Sequence, residues 1–562
     1  MSLDRVGERR RPIRIAFCLV LAVQVLLAVW GVADQWTRGH NGWNGAAYQN
    51  AARNTLRWDV LFPLQYDTAN VPPKPEQLYT HAPLALHLHN VVSVKIFGDR
   101  ELSIRLVAGF WSVAALIMLF AVVRRLWDDA HALAASALYV ALPINAIYIN
   151  MANHSAGFIF WSLLALYLYV QRPRGKLWPW PRFVFFLVVI AIAATWDWPA
   201  YYIAFCIALH WAYSVKKSSE PFAQLLVFCV WIGFWFVGHF ALVELLTGNL
   251  DELTGTFNAR RALSWDRFRT HLLVVPELMF TAPILGISAA WAGTWLLRLA
   301  RGTARARDLV PLAFLFAGLV HYWTFRWSAI VHSYWAWPML PAVAIAVTAS
   351  LFTMARWIRA RAGAAAGWSV LLLLVPLAIR IVQIVPEARY VGGSMWFFTP
   401  VRGAVDTYDS GRPELRFATM VKAWTDRDTG VQLHTSLKPL RLEPRFDITL
   451  DRVTHRWSQH PRKEIPNGQG AKAWVFIAAV DAFSDEERAA FASRHPYRQY
   501  GDYFMLDLRS EGRDIEIWGL TPLPFDLRWR LLRSAFEPPI RASRQIASEQ
   551  ALDEKVAALD AD

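Results

Sequence analysis

The chain alternates between long apolar runs and short basic connectors. Apolar residues gather at about 14–33, 104–123, 131–149, 155–171, 183–199, 200–215, 223–246, 272–297, 309–325, 333–354 and 367–385. A helix needs roughly 20 apolar residues to cross the hydrocarbon of a bilayer. The pattern therefore predicts an α-helical polytopic membrane protein with about eleven transmembrane helices. The tightest pair of runs meets at Trp198-Pro199. The first run is longer than the apolar core of an export signal and no small-residue cleavage site follows it, so it reads as an uncleaved first span.

Two stretches break the pattern. From Asp34 to Pro83 the chain is polar and rich in aromatics, with Asp34, His40, Asp59, Asp67 and His81. A connector of that length and composition predicts an external loop that caps a chemical site. Residues 84–98 are apolar but short, interrupted by His87, His89 and Lys95, which suits a segment lying in the interface. Beyond 385 the composition turns mixed and polar. AKAWVFIAAV reads as a buried strand, SDEERAAFASRH as a helix capped by Ser484 and Glu487, and YFMLDLR and DIEIWGL as further strands. The expected domains are a membrane domain over 1–385 that includes an external loop at 34–103, a small extracytoplasmic α/β domain over 386–540, and a helical or loosely ordered tail over 541–562.

Charge fixes an orientation. The formal net charge of +14 could suggest nucleic acid, but the basic residues lie between the apolar runs. Arg9, Arg10 and Arg11, then Arg124-Arg125, Arg172, Arg174 and Lys176, Lys216-Lys217, Arg298 to Arg307 and Arg356 to Arg361 fall on alternate connectors. By the positive-inside rule these face the cytoplasm, as does the N-terminus. The opening loop and everything after the last span then lie outside. Arg260, Arg261, Arg267 and Arg269 violate the rule, which asks for a functional reason. The 29 tryptophans suit a protein with much surface at the membrane–water interface. Cys18, Cys206 and Cys229 lie within apolar runs and offer neither metal spacing nor an evident disulfide.

On this topology several polar residues converge on one membrane face: Asp34 and His40, Asn153 and His154 in YINMANHSAG, Asp197 in ATWDWPAYY, and His332 in RWSAIVHSYWAWPMLP. Each alone has a plain structural explanation as a helix cap or hydrogen-bonded side chain. Ionisable groups at membrane depth usually face a protein interior or a watery cavity. No phosphate-loop, HExxH, GxSxG or CxxC pattern is present, and neither a metal nor another cofactor is assigned. An enzyme on the outer face would need its activated substrate delivered by a lipid, and Arg260 and Arg261 in FNARRALSWDRFR could hold its phosphate.

The stretch YTHAPLALHLHNVVSVKIFGDRELSIRLVAGFWSVAALIMLFAVVRRLW is similar to the early region of GT-C class membrane glycosyltransferases, in the family 39, protein mannosyltransferase and aminoarabinose-transferase-like group. The shared elements are Pro83-Leu84, Phe97-Gly98, the segment from Glu101 to Arg105, and Arg124 to Leu126. HSYWAWPMLPAVAIA also looks like the family. The resemblance implies sugar transfer from a polyprenyl-phosphate donor to an envelope lipid, glycan or protein at the outer face of a bacterial inner membrane. It also implies a carboxylate in the first external loop, a lysine before the Pro-Leu turn and an acidic residue after the third span. This chain departs at all three, placing Asn44-Gly45, His81-Ala82 and Asn153-His154 there.

The reading is thus a polyprenyl-phosphate-dependent glycosyltransferase. Asp34 and His40 lead as base candidates, with Asn44, His154 and Asp197 also at the catalytic centre. His81, Arg260, Arg261 and His332 are the substrate-binding candidates. The alternative is a transporter or flippase of a lipid-linked saccharide, against which stands the absence of an evident internal repeat.

Overall fold

A computed structural model describes residues 3–33, 36, 39–59, 78–173, 176–218, 222–262 and most of 265–379, with shorter stretches between 418 and 508. Asp34, Asp67, Arg267, the segment DIEIWGL and the tail 541–562 lie outside the described residues. The chain divides into two compact units, one holding the helices up to 379 and the other holding a sheet.

The helical unit begins with α1 (Leu3–Val29), α2 (Gly39–Trp58), α3 (Ala85–Phe97) and α4 (Glu101–Leu126). It continues through α5 (Asp129–Ala141), α6 (Pro143–Tyr148), α7 (Ser155–Val170), α8 (Trp180–Trp196) and α9 (Pro199–Ser218). Then come α10 (Phe222–Thr247), α11 (Asp251–Arg261), and helices Val274–Phe280, Ala282–Ala300, Leu309–Thr324 and Leu340–Gly367. Among the described residues, four segments are long and apolar enough to cross a membrane: Pro12–Val29, Glu101–Leu126, Phe222–Thr247 and Tyr334–Gly363. Ser155–Val170, Trp180–Trp196, Leu309–Thr324 and Trp368–Ile379 are shorter apolar helices. On α10, Leu226, Val230, Phe234 and Val237 stand exposed along one side, a face suited to hydrocarbon.

Proline divides two of the expected spans. The run 131–149 breaks at Leu142, which is extended (φ −63°, ψ 131°) ahead of Pro143. A residue before proline is pushed out of the helical region, and the proline itself starts a new helix well. The run 272–297 breaks at Thr281, whose φ of 68° is unusual for a β-branched residue, two positions before Pro283.

The polar stretch after α1 contains a helix where a loop was expected. The reason is that α2 packs through small residues instead of large apolar ones. Ala46, Ala47, Ala51 and Ala52 are buried, and Gly45 lies directly under the Trp36 indole. A polar bracket holds α2 in place. Trp36 Nε1 donates to Gln49 at 2.6 Å, Gln49 donates to Asp99 at 2.7 Å, and Arg53 pairs with Asp99 at 3.6 Å. Arg105, in the first turns of α4, stacks its guanidinium over Trp36 at 4.2 Å. A Cβ at Gly45 would fall 2.0 Å from the Trp36 ring, so Gly45→Ala should displace the indole and cost about 1–3 kcal/mol, as overpacking does. Thermal unfolding of purified protein in detergent measures this against Gly233→Ala, where a Cβ meets nothing within 4 Å. Equal midpoints for the two variants would refute the bracket.

The short apolar stretch at 84–98 forms the helix α3. Leu88, Val92 and Ile96 are exposed at four-residue spacing while Leu86, His87, Asn90 and Val94 are buried. Buried amides tie the C-terminal end of α1 to the region around α6. Asn145 donates to Gln24 at 2.9 Å, and Asn150 donates to the Trp30 carbonyl at 3.0 Å.

The second unit carries a five-stranded sheet in the order β2-β1-β3-β5-β4. Its strands are β1 (Thr429–His434), β2 (Thr454–Ser458), β3 (Ala473–Ala479), β4 (Tyr497–Tyr500) and β5 (Tyr503–Asp507). β1 pairs in parallel with β2 and β3, and β5 pairs antiparallel with β3 and β4. β3 is the strand read from AKAWVFIAAV, and its near-continuous apolar run fits burial of Val475 and Ile477 in one cluster and Trp474 and Phe476 in another. The expected capping box between Ser484 and Glu487 opens helix Asp485–Ala492.

Candidate active site

The site is built around the short segment Tyr79–Leu84 that leads into α3. Its backbone is pinned from two sides. Trp198 Nε1 donates to the His81 carbonyl at 2.9 Å, and the Thr80 N–H donates to Glu252 Oε2 at 3.0 Å. The Thr80 hydroxyl gives the same carboxylate oxygen a second bond. The His81 ring packs on Tyr79 with centroids 3.8 Å apart.

His81 joins two charged groups of α11. Its Nδ1 faces Glu252 Oε1 at 2.6 Å and its Nε2 faces Arg260 Nη2 at 2.6 Å. A guanidinium nitrogen can only donate, so Nε2 accepts and the ring proton sits on Nδ1, donated to Glu252. The imidazole is therefore neutral, and burial together with the Arg260 charge lowers its pKa to about 4. Burial would raise the Glu252 carboxyl, but the bonds from His81 and Thr80 outweigh it and bring the group down to about 2. Glu252, Thr256 and Arg260 recur every fourth residue along one side of α11, and Thr256 Oγ1 donates to Glu252 at 3.1 Å. Arg260 also lies 5.6 Å from the centre of the Trp335 ring.

The opposite wall comes from α2 and two helix breaks. Tyr48 on α2 bonds to His154 Nε2 at 2.7 Å. His154 precedes α7, and burial holds it down at about 4, with the nearby His81 and Arg260 acting in the same direction. Asp197 stands in the extended break between α8 and α9, outside both helices, and bonds to the N–H of Trp198 at 2.8 Å. Burial raises its carboxyl to about 7, against the pull of that bond and of Arg260. Asn44 is buried on α2, bonded to Tyr334 and 4.0 Å from Met151 Sδ. Tyr334 in turn lies within electrostatic reach of Tyr79, Arg260 and Asp197.

Of the residues singled out from sequence, the fold thus brings Asn44, His81, His154, Asp197 and Arg260 to one part-buried cluster. His332 sits at its margin, stacked on Tyr334 at 5.2 Å. Arg261 points elsewhere, over Phe257 at 5.1 Å. His40 falls in the first turn of α2, its side chain outside the described residues as Asp34 is. Sequence reasoning missed Tyr48, Tyr79, Glu252 and Tyr334. For Glu252 a signal was present, because DELTGTFNAR places a carboxylate two helical turns ahead of an arginine that breaks the charge rule.

The chain resembles known proteins in both sequence and structure. Residues 80–239 match the family described as dolichyl-phosphate-mannose-protein mannosyltransferase. Over 108 residues the chain is 27% identical to undecaprenyl phosphate-alpha-4-amino-4-deoxy-L-arabinose arabinosyl transferase 1 of Pseudomonas fluorescens. That match spans 18% of this chain and a fifth (20%) of the relative's length. In structure the chain is similar to ArnT from Cupriavidus metallidurans bound to undecaprenyl phosphate, with a TM-score of 0.57 at 13% identity over 88% of this chain and 98% of that one. It is also similar to the oligosaccharyltransferase AglB from Archaeoglobus fulgidus in complex with an inhibitory peptide and a dolichol-phosphate, with a TM-score of 0.52 at 13% identity over 91% of this chain and 75% of that one.

Proposed function

We propose that this chain, which carries the GT-C fold, transfers a sugar from a polyprenyl-phosphate donor to an acceptor at the outer face of a bacterial inner membrane. The observation that carries the reading is the pairing, in one part-buried cluster, of a guanidinium held by a neutral imidazole with a carboxyl whose pKa is raised to about 7. The first suits a phosphate and the second suits a base. Relatives whose structures hold undecaprenyl phosphate or dolichol-phosphate support the same class of donor.

In the proposed reaction the acceptor nucleophile attacks the anomeric carbon and the bond from that carbon to the phosphate oxygen breaks. The electron pair leaves with the lipid phosphate, whose growing charge Arg260 stabilises. Asp197 takes the acceptor's proton, and attack from the side opposite the phosphate inverts the anomeric centre. Asn44 cannot serve as the base, since an amide holds no basic lone pair at neutral pH, but it can orient the acceptor together with Tyr334. Arg260 thereby supplies the functional reason for basic residues on an external connector.

The test is transfer of labelled sugar from a polyprenyl-phosphate donor in vesicles containing the purified protein, alongside mass spectrometry of envelope glycans and lipids from cells lacking it. Unchanged envelope chemistry together with no transfer from any prenyl donor would reject the reading. A base of pKa about 7 also predicts that the rate rises with pH through that value, because Asp197 must be ionised to accept the proton. A rate that is flat between about pH 5.5 and 8.5 (roughly one and a half units either side of neutrality) would remove Asp197 from that role.

A further inference from the structure

The contacts of His81 with Glu252 and Arg260 hold the imidazole as an uncharged acceptor between two opposite charges. We propose that a phosphodiester anion entering the site draws Arg260 away from His81 Nε2, and that His81 then takes up one proton from solvent, with Glu252 as the positioning residue that presents the ring. The inference rests on the phosphate-binding reading above and adds a proton-coupled switch to it.

Charge balance drives the step. Glu252 and Arg260 cancel across a neutral ring. A diester brings one fixed negative charge and claims the guanidinium, which leaves the partly buried Glu252 beside an uncharged imidazole. An unbalanced charge in such surroundings is costly. Protonating Nε2 restores neutrality, since the imidazolium donates Nδ1–H to Glu252 and Nε2–H to the phosphate. Before binding, Arg260 opposes that proton, and after binding the phosphate favours it. No covalent bond changes, and one proton moves from solvent to Nε2.

The other groups near the ring do not replace this step. Tyr79 packs against His81 and is pushed further toward its neutral form by burial. His154 is partly buried and bonded to Tyr48, and a charge there would repel one on His81. Asp197 is the one competitor among the groups described here, because an incoming anion also raises its hold on a proton. Glu252 acts through His81 and not on the substrate. Thr80 and Thr256 lock its carboxylate, which keeps Nδ1 protonated and leaves Nε2 as the only ring position able to gain a proton.

The probe is a farnesyl methyl phosphate diester, whose own charge does not titrate near neutrality. Calorimetric titration of the full chain at pH 6.5 in two buffers of different ionisation enthalpy counts the protons exchanged. The expected result is uptake of about one proton per bound diester in the wild type. In His81→Gln the uptake should vanish while weaker binding remains. In Glu252→Gln it should fall, with a changed pH profile that loss of packing alone would not produce. Binding without proton uptake in the wild type would overturn the switch and leave donor binding intact. Uptake that survives in His81→Gln and disappears in Asp197→Asn would also overturn it, by assigning the proton to Asp197. Failure of the wild type to bind the diester would reject the phosphate-binding reading and the switch with it. Equal uptake with phosphatidylglycerol would support the switch for lipid phosphodiesters in general, whereas uptake confined to the prenyl diester would tie it to the donor.

Discussion

Arg260→Ala is expected to lower kcat/KM for the lipid-phosphate donor by about 10²–10³-fold, the usual cost of removing one stabilising donor from a developing oxyanion. The loss should be that large because Arg260 meets a buried, neutral imidazole in a low-dielectric setting, where its charge is poorly screened. Arg260→Lys should recover part of the rate through its charge. It should not recover all of it, because an ammonium lacks the flat fork that meets two phosphate oxygens. Arg261→Ala serves as the internal comparison, since that side chain lies over Phe257. Vesicle assays of the three variants at matched membrane levels decide it. A normal rate in Arg260→Ala, or an equal loss in Arg261→Ala, would place the phosphate elsewhere.

The same arginine shows how far the sequence could be read. Its position was conspicuous because it broke the charge rule, and that clue needed no structure. What it touches was hidden, because His81 and Arg260 lie 179 positions apart and meet through the fold alone. The helical character of the membrane unit was legible from apolar runs, and so was β3, whose apolar residues are unbroken. α2 was not, because periodicity was sought in large apolar residues while its buried side consists of alanine, glycine, asparagine, Gln49 and Arg53. The breaks at Leu142 and Thr281 were legible in principle, since each lies just ahead of a proline. Tyr334 escaped for a different reason. The stretch HSYWAWPMLP drew attention to its histidine, yet the tyrosine two places on is the side chain that reaches Asn44.

Asp197→Asn should reduce transfer by about 10²–10⁴-fold, the range in which a positioned general base contributes. The substitution keeps the shape and the bond to the Trp198 N–H, so the break between α8 and α9 should persist and the protein should remain in the membrane. It removes the one group of the described cluster whose carboxyl is raised by burial to about 7, where a base is most effective. Any remaining activity should lose the rise with pH, because the amide of that variant does not ionise in this range. The rival assignment is the opening segment, where Asp34 or His40 would be the base. Asp34→Asn and His40→Ala in the same vesicle assay separate the two. If either abolishes transfer while Asp197→Asn turns over near normally, the base belongs to the entrance of α2 and Asp197 is structural. If all three fall together, the pH profile decides, since only the true base carries the limb near pH 7 away with it. Adding Asn44→Asp to Asp197→Asn probes the geometry from the other side. Both positions address Tyr334, so a carboxylate at 44 should restore part of the rate if the acceptor lies between them.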